Sequence, residues 1–136
     1  MQTAELRTRV EFFVTDLDRS LDFYRSLGFE LVRRWEGWAL IDRAGSRLAL
    51  QADAYARDHD HYFTPHLDVF PRGVGVETCV DVDDVADLTA LHGVAQRLGC
   101  VVRELRERGW GATDFRIADP DGYFLRFTTP LGLLGE

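Results

Sequence analysis

Apolar residues recur every three or four positions in two stretches of the chain, which is the spacing of a helix with one buried face. The first stretch follows Asp16 and the second follows Asp83, and an aspartate at this place can cap a helix N-terminus. Gly28 and Gly99 end the two stretches, and a strand is predicted after each glycine. The apolar helix positions are Leu17, Leu21, Tyr24 and Leu27 in the first, and Val85, Leu88, Leu91, Ala95 and Leu98 in the second.

The two halves of the chain also end alike. DRAGSRLAL at 42–50 and DPDGYFLRF at 119–127 each contain an Asp, a Gly three positions later and an alternating strand, at an offset of 77 residues. An Asp followed by a Gly favours a tight turn, because Asp bonds the local backbone and Gly adopts positive φ without strain. Each half is therefore predicted to fold as a strand, a helix and three strands.

This repeat predicts an α+β fold of tandem βαβββ modules in a single domain, 1–136. Module one spans about 5–53 and module two about 74–130, and the connection at 54–73 has the composition of a linker. One module cannot bury both faces of its sheet, so the modules are expected to pair, either within the chain or across a dimer.

Composition excludes several classes of function. A chain of 136 residues that is 46% hydrophobic can form one core, and its net charge of −7 argues against binding nucleic acid. No apolar run approaches the roughly 20 residues that cross a bilayer. The first residues lack the features of a secretion signal, so a cytoplasmic protein with two reduced cysteines is expected.

Three motifs carry a resemblance to a known family: FVTDLDRSLDFY at 13–24, LGF at 27–29 and ADPDGY at 118–123. With them the chain resembles the vicinal oxygen chelate superfamily, which includes glyoxalase I, extradiol dioxygenases, and the fosfomycin- and bleomycin-resistance proteins. The resemblance implies a mixed sheet that curls around a cleft. It also implies, for the metal-dependent members, one metal ligand on the first strand and one on the last strand of each module.

In this sequence the four corresponding positions are Arg9, Ala49, Glu77 and Arg126. A metal site of this kind needs His, Glu, Gln or Asp, and only Glu77 qualifies. Two guanidinium groups also repel a divalent cation. The expectation is therefore that neither a metal nor another cofactor is bound, and that Glu77 forms an ion pair with Arg9 or Arg126.

Strand alternation and the aromatic residues suggest the lining of the cleft. Trp110 lies between two glycines and suits stacking on a ligand. Cys79 is expected to be a small buried core residue, and the three histidines at 59, 61 and 66 to lie in a solvated loop over the cleft. The predicted ligand-binding residues are Trp110, Trp38, Phe13, Phe124, Glu77, Arg9, Arg126 and Gln51.

The leading functional hypothesis is a non-catalytic homodimer that sequesters a bulky aromatic antibiotic. Carboxylates near the cleft favour a cationic ligand and the arginines an anionic one, so the sequence leaves the ligand's charge open. One alternative is a metal-dependent lyase, epimerase or dioxygenase, which requires a register shift that makes Glu11, Gln51 or Asp81 a ligand. Another is a metal-free enzyme with Glu77 as general base beside Arg9 or Arg126.

Overall fold

The computed structural model describes residues 8–130 and divides the chain after Asp68 into two compact units. Each unit contains a four-stranded mixed sheet within the described residues. The predicted class, α+β with repeated βαβββ modules, is confirmed. The division follows the predicted repeat, although the connection is shared between the two units.

The first unit contains β1 (Val10–Val14), α1 (Leu17–Ser26), β2 (Glu30–Trp35), β3 (Trp38–Arg43) and β4 (Ser46–Ala52). The strand order is β1-β4-β3-β2, with β1 parallel to β4 and the other neighbours antiparallel. Asp16 caps α1, because its Oδ1 accepts a hydrogen bond from the Arg19 amide at 3.0 Å. Tyr24 of α1 is buried against Phe29, with ring centroids 5.5 Å apart.

The second unit repeats this topology with β5 (Thr78–Asp81), α3 (Val85–Leu98), β6 (Val101–Glu107), β7 (Thr113–Ala118) and β8 (Phe124–Thr128). The strand order is β5-β8-β7-β6, and β5 runs parallel to β8. Asp84, rather than the predicted Asp83, caps α3 through the Asp87 amide. The core of this unit lies between α3 and one face of the sheet, where Leu88, Phe115 and Phe127 are fully buried.

Both predicted hairpins are present. Ala44 and Gly45 join β3 to β4 with φ values of 48° and 92°, which is the geometry of a two-residue hairpin turn. In the second hairpin Asp119 Oδ1 accepts hydrogen bonds from the amides of Asp121 and Tyr123, both at 2.9 Å. The aspartates and glycines of the repeat therefore have the turn roles predicted for them.

The connection corrects one expectation, because much of it is ordered secondary structure rather than a linker. It forms α2 (Asp53–Asp58) and a 3-10 turn (Thr64–His66), both in the first unit. Ala56 and Leu67 from this segment pack on Phe13, which is only 6% exposed. Phe13 lies on the predicted face of β1, but the chain covers it instead of leaving it open to a ligand.

The histidines of the connection are likewise packed against rings. His59 stacks on Tyr55 at a centroid distance of 4.0 Å, and His61 lies 4.6 Å from Phe13. His66 contacts Tyr62 at 6.2 Å. His59 and His66 nevertheless remain exposed, as expected for a solvated loop, and of the three imidazoles it is His61 that contacts the first sheet, through Phe13.

The helices are short. The longest in the described residues, α3, has 14 residues, and none between residues 8 and 130 has the length and hydrophobicity needed to span a bilayer.

Candidate functional site

An aromatic groove lies at the end of the β2–β3 hairpin in the first unit. It is a cavity of about 320 Å³ lined by Trp35, Glu36, Trp38 and Tyr55. Trp35 and Trp38 face each other across the hairpin, with ring centroids 4.4 Å apart. Tyr55 comes from α2, so the ordered connection supplies one wall. The groove presents flat rings and one carboxylate, which suits stacking on a planar ligand.

Two arginines lie against these indole rings. The Arg33 guanidinium carbon is 4.0 Å from the Trp35 centroid, and that of Arg9 is 5.8 Å from the Trp38 centroid. Gln51 pairs with Trp38 across β3 and β4, and its Nε2 donates to Glu11 Oε1 at 2.7 Å. The structure thus brings together three predicted site residues, Arg9, Trp38 and Gln51.

A charged cluster occupies the face of the second sheet that points away from α3. Arg126 Nη2 lies 2.9 Å from Glu77 Oε1, which is one of the two ion pairs predicted for Glu77. Arg116, on the neighbouring strand, brings its Nε to 3.8 Å from Glu77 Oε2. Arg126 Nη2 also donates to Cys79 Sγ at 3.2 Å. We call Glu77, Arg108, Asp114, Arg116 and Arg126 the arginine cluster.

Asp114 is the anchor of the arginine cluster, and its side chain has 0% exposure. Arg108 Nε donates to its Oδ1 at 2.6 Å, while Arg116 and Arg126 lie 3.7 and 3.9 Å from its Oδ2. Burial lowers the pKa of Arg126, but the hydrogen bond to Cys79 and the charges of Glu77 and Asp114 outweigh it and raise the pKa above its ordinary value. Arg126 is therefore held as a cation.

The side chains at the four implied metal-ligand positions do not fit a metal ion. Ala49 is fully buried and has no donor atom, Arg9 lies over Trp38, and the Glu77 carboxylate is engaged by Arg126. Between residues 8 and 130, no three His, Cys, Asp or Glu side chains are grouped closely enough to hold an ion. We therefore derive no chemistry through a metal for this chain.

A second groove, of about 530 Å³, lies beside the arginine cluster. Its walls come from 71–77 and from five residues of the sheet and its hairpin: Val102, Arg103, Ala118, Gly122 and Phe124. Two predicted site residues, Glu77 and Phe124, thus share a groove. Trp110 is not among its lining residues; it lies in the β6–β7 turn and is 51% exposed.

Sequence reasoning placed Cys79 on the correct strand but gave it the wrong environment. It was expected to be buried, yet it is exposed on β5 beside Arg126. Asp114 and Arg116 were missed, although β7 alternates them with buried Phe115 and Ile117. That alternation was the available indication of residues on the open face. Tyr55 was missed as a site residue because it lies in the segment interpreted as a linker.

The two thiols are expected to differ in reactivity. Burial raises the pKa of Cys100, and the charge of Asp119 raises it further against an opposing backbone hydrogen bond. At pH 8 iodoacetamide should therefore label exposed Cys79 at least tenfold faster than Cys100. Peptide mass spectrometry over time measures the two labelling rates. Raising the pH should reduce the ratio of the two labelling rates, because more Cys100 thiolate forms. Cys79→Ser should leave only the slow reaction, and equal labelling rates in the native protein would contradict this.

The comparisons with known proteins agree with the fold. A model of the Glyoxalase/Bleomycin resistance protein/Dioxygenase superfamily matches residues 7–127. The chain belongs to this family. A bleomycin resistance protein from Klebsiella pneumoniae is 30% identical over 118 residues, which cover 82% of each chain.

Solved structures of the family include both binding proteins and enzymes. A bleomycin-binding protein complexed with bleomycin matches with a TM-score of 0.64 and 22% identity, covering 93% of this chain and 99% of that one. A lactoylglutathione lyase from Agrobacterium tumefaciens matches with a TM-score of 0.68 and 20% identity, covering 99% and 100%. At such identities the likeness shows the shared fold alone, so function must be argued from this chain's own residues.

Proposed function

We propose that this protein is a non-catalytic, cytoplasmic binding protein that sequesters a bulky aromatic small molecule, as an antibiotic-resistance protein does. The observation that carries this proposal is the ion pair between Arg126 and Glu77, at 2.9 Å, where metal-dependent members of the family need ligands. The Arg126 guanidinium neutralises Glu77, the one carboxylate among the four ligand positions. Ligand binding then depends on aromatic stacking and on the charged side chains of the protein.

The aromatic groove is the proposed contact for the ligand's rings. Its volume of about 320 Å³ lies within the common range of roughly 300–1,000 Å³ for small-molecule pockets. Trp35 remains well exposed although it contacts Trp38 and Arg33, so a further planar group can stack there. The relative from Klebsiella pneumoniae, described as a bleomycin resistance protein, supports an antibiotic as the ligand.

We also propose that the protein acts as a homodimer. Each chain carries a net charge of −7, so a dimer doubles the long-range attraction for a basic drug. Such steering weakens as salt screens the charges. Size-exclusion chromatography with light scattering measures the mass directly.

Binding is tested by calorimetry and by quenching of tryptophan fluorescence with bleomycin and a panel of peptide antibiotics. Trp38→Ala should weaken binding of the best ligand by at least about tenfold, because a stacked indole is commonly a dominant binding contact. The matched control is Tyr62→Ala, which removes an exposed ring outside the groove and should change the affinity less than about twofold. Circular dichroism establishes that both variants are folded.

Two results would overturn the proposal. One is a panel in which no compound binds more tightly than about 1 mM, which corresponds to only about 4 kcal/mol. The other is one equivalent of a transition metal in protein purified without chelators, since an intact metal site would favour the enzymatic members of the family.

A further inference from the structure

A row of three arginines crosses the open face of the second sheet. Arg126 on β8 pairs with Arg116 on β7, and Arg116 pairs with Arg103 on β6. Directly paired residues on neighbouring strands point to the same side of the sheet. The three guanidinium groups therefore belong to one surface, which is the surface that carries the arginine cluster.

Arg116 is short of hydrogen-bond partners. Its side chain is 23% exposed, and its nearest carboxylate oxygens, on Asp114 and Glu77, lie 3.7 and 3.8 Å away. Both distances exceed a hydrogen bond, and within residues 8–130 the buried Nε of Arg116 has no hydrogen-bond partner. A guanidinium has five N–H donors, and the Nε–H of Arg116 is left unpaired in a buried position, which is costly. The exposed part of the guanidinium can donate to an acceptor from outside the chain.

Positive charge exceeds negative charge on this face. Glu77, whose carboxylate is already bound by Arg126, is one of three acids there, beside Asp81 and Asp114. Five arginines accompany these three acids, which leaves an excess of two positive charges on a chain whose net charge is −7. The arginines are Arg103, Arg106, Arg108, Arg116 and Arg126. The local charge therefore favours an anion, against the sign of the whole chain.

The second groove adds an apolar surface next to these cations. Val76 and Val102 are exposed on its walls, and Phe124 contributes a ring. Arg103 lines the groove and also belongs to the arginine row, so the two features are continuous. Burying an apolar group here is favourable by about 25 cal/mol for each Å² removed from water.

We propose that the second unit binds an amphipathic organic anion. Its carboxylate or phosphate accepts hydrogen bonds from Arg116, with Arg103 and Arg126 on either side, and its apolar body lies against Val76, Val102 and Phe124. A planar guanidinium can bind either oxyanion with two parallel hydrogen bonds. This site goes beyond the proposed antibiotic binding, because it does not use the aromatic groove of the first unit.

The test uses 2-naphthoate as the probe and 2-naphthamide as its neutral counterpart. Affinity is measured by calorimetry, and the site is located by amide chemical shifts. We expect naphthoate to bind at least about fivefold more tightly than naphthamide, with shift changes at Val76, Val102 and Phe124 and weaker binding at higher salt. Inorganic phosphate should compete with naphthoate if the site recognises the oxyanion alone. If phosphate does not compete while naphthoate still binds at the same residues, the site is specific for carboxylates.

Arg116→Gln should weaken naphthoate binding about tenfold, because the charge-assisted hydrogen bonds to the carboxylate are lost. The affinity for naphthamide should not change. The matched control is Arg97→Gln, which makes the same charge change on exposed α3 and should have no effect on either probe. If circular dichroism shows that Arg116→Gln is unfolded, Arg103→Gln serves as a second variant. It should weaken naphthoate binding several-fold.

Equal affinities for the two probes would overturn the proposal, as would equal losses in Arg116→Gln and Arg97→Gln. The outcome is separable from that of the proposed function. An antibiotic that binds through Trp38 while naphthoate does not bind refutes the anion site alone. Naphthoate binding lost in Arg116→Gln, with no antibiotic bound, refutes the sequestering function alone.

Discussion

Replacing Asp114 by alanine is expected to lower the free energy of unfolding by about 3–5 kcal/mol. The Asp114 carboxylate has no exposure and lies within 4 Å of three arginines, the nearest being Arg108 at 2.6 Å. Removing it leaves partly buried guanidinium groups without their shared counter-ion. Urea unfolding followed by circular dichroism measures the change, with the slope of the transition as a check on two-state behaviour.

The matched control is Asp68→Ala, which breaks an ion pair with Arg57 at 3.2 Å whose carboxylate is 88% exposed. An ion pair in water contributes little, so a change below about 1 kcal/mol is expected. Similar losses in the two variants would show that burial of Asp114 has no special role. A loss below about 1 kcal/mol for Asp114→Ala would contradict the prediction directly.

Gly122→Ala should be comparably damaging, with a loss of about 2–6 kcal/mol in total. Gly122 has φ of 91°, a backbone conformation that costs a residue with a side chain roughly 1–3 kcal/mol. An added Cβ would also lie 2.5 Å from the Pro71 Cβ and 2.7 Å from the Pro71 Cα. Backbone cannot move aside cheaply, so overpacking adds roughly another 1–3 kcal/mol. Thermal and urea unfolding both report the loss.

Gly45 provides the matched control, because it is the turn glycine of the first hairpin and has a φ of 92°. No atom lies within 4 Å of a Cβ built there. Gly45→Ala should therefore cost only the backbone contribution, about 1–3 kcal/mol. The difference between the two variants measures the packing of Pro71 on the second hairpin, and equal losses would show that this contact is not rigid.

The parts of the fold that were predictable are set by local chemistry. The hairpins at 42–46 and 119–124 follow from an aspartate and a glycine at fixed spacing, and the helices from apolar residues on one face. Alternation also placed Leu125 and Phe127 in the core and Arg126 on the open face. Because these patterns span only a few residues, they can be read without knowing what packs on them.

The candidate site was less predictable because it depends on contacts between distant segments. Alternation gave the direction of Phe13 but not that Ala56 and Leu67 would cover it. Arg9 was offered as a partner for Glu77 and instead lies against Trp38. Cys79 was judged by neighbouring acids in sequence, whereas Arg126, 47 positions away, is its hydrogen-bond partner.

The helix α2 has a consequence for how this protein can evolve. It supplies Tyr55 to the aromatic groove and, through Ala56, covers Phe13, yet it belongs to neither sheet. Mutations in this short helix can thus change which aromatic rings contact a ligand, while the strand pairing that specifies the fold is unchanged. Under the proposed function, variants selected to bind different ligands should accordingly accumulate their changes there.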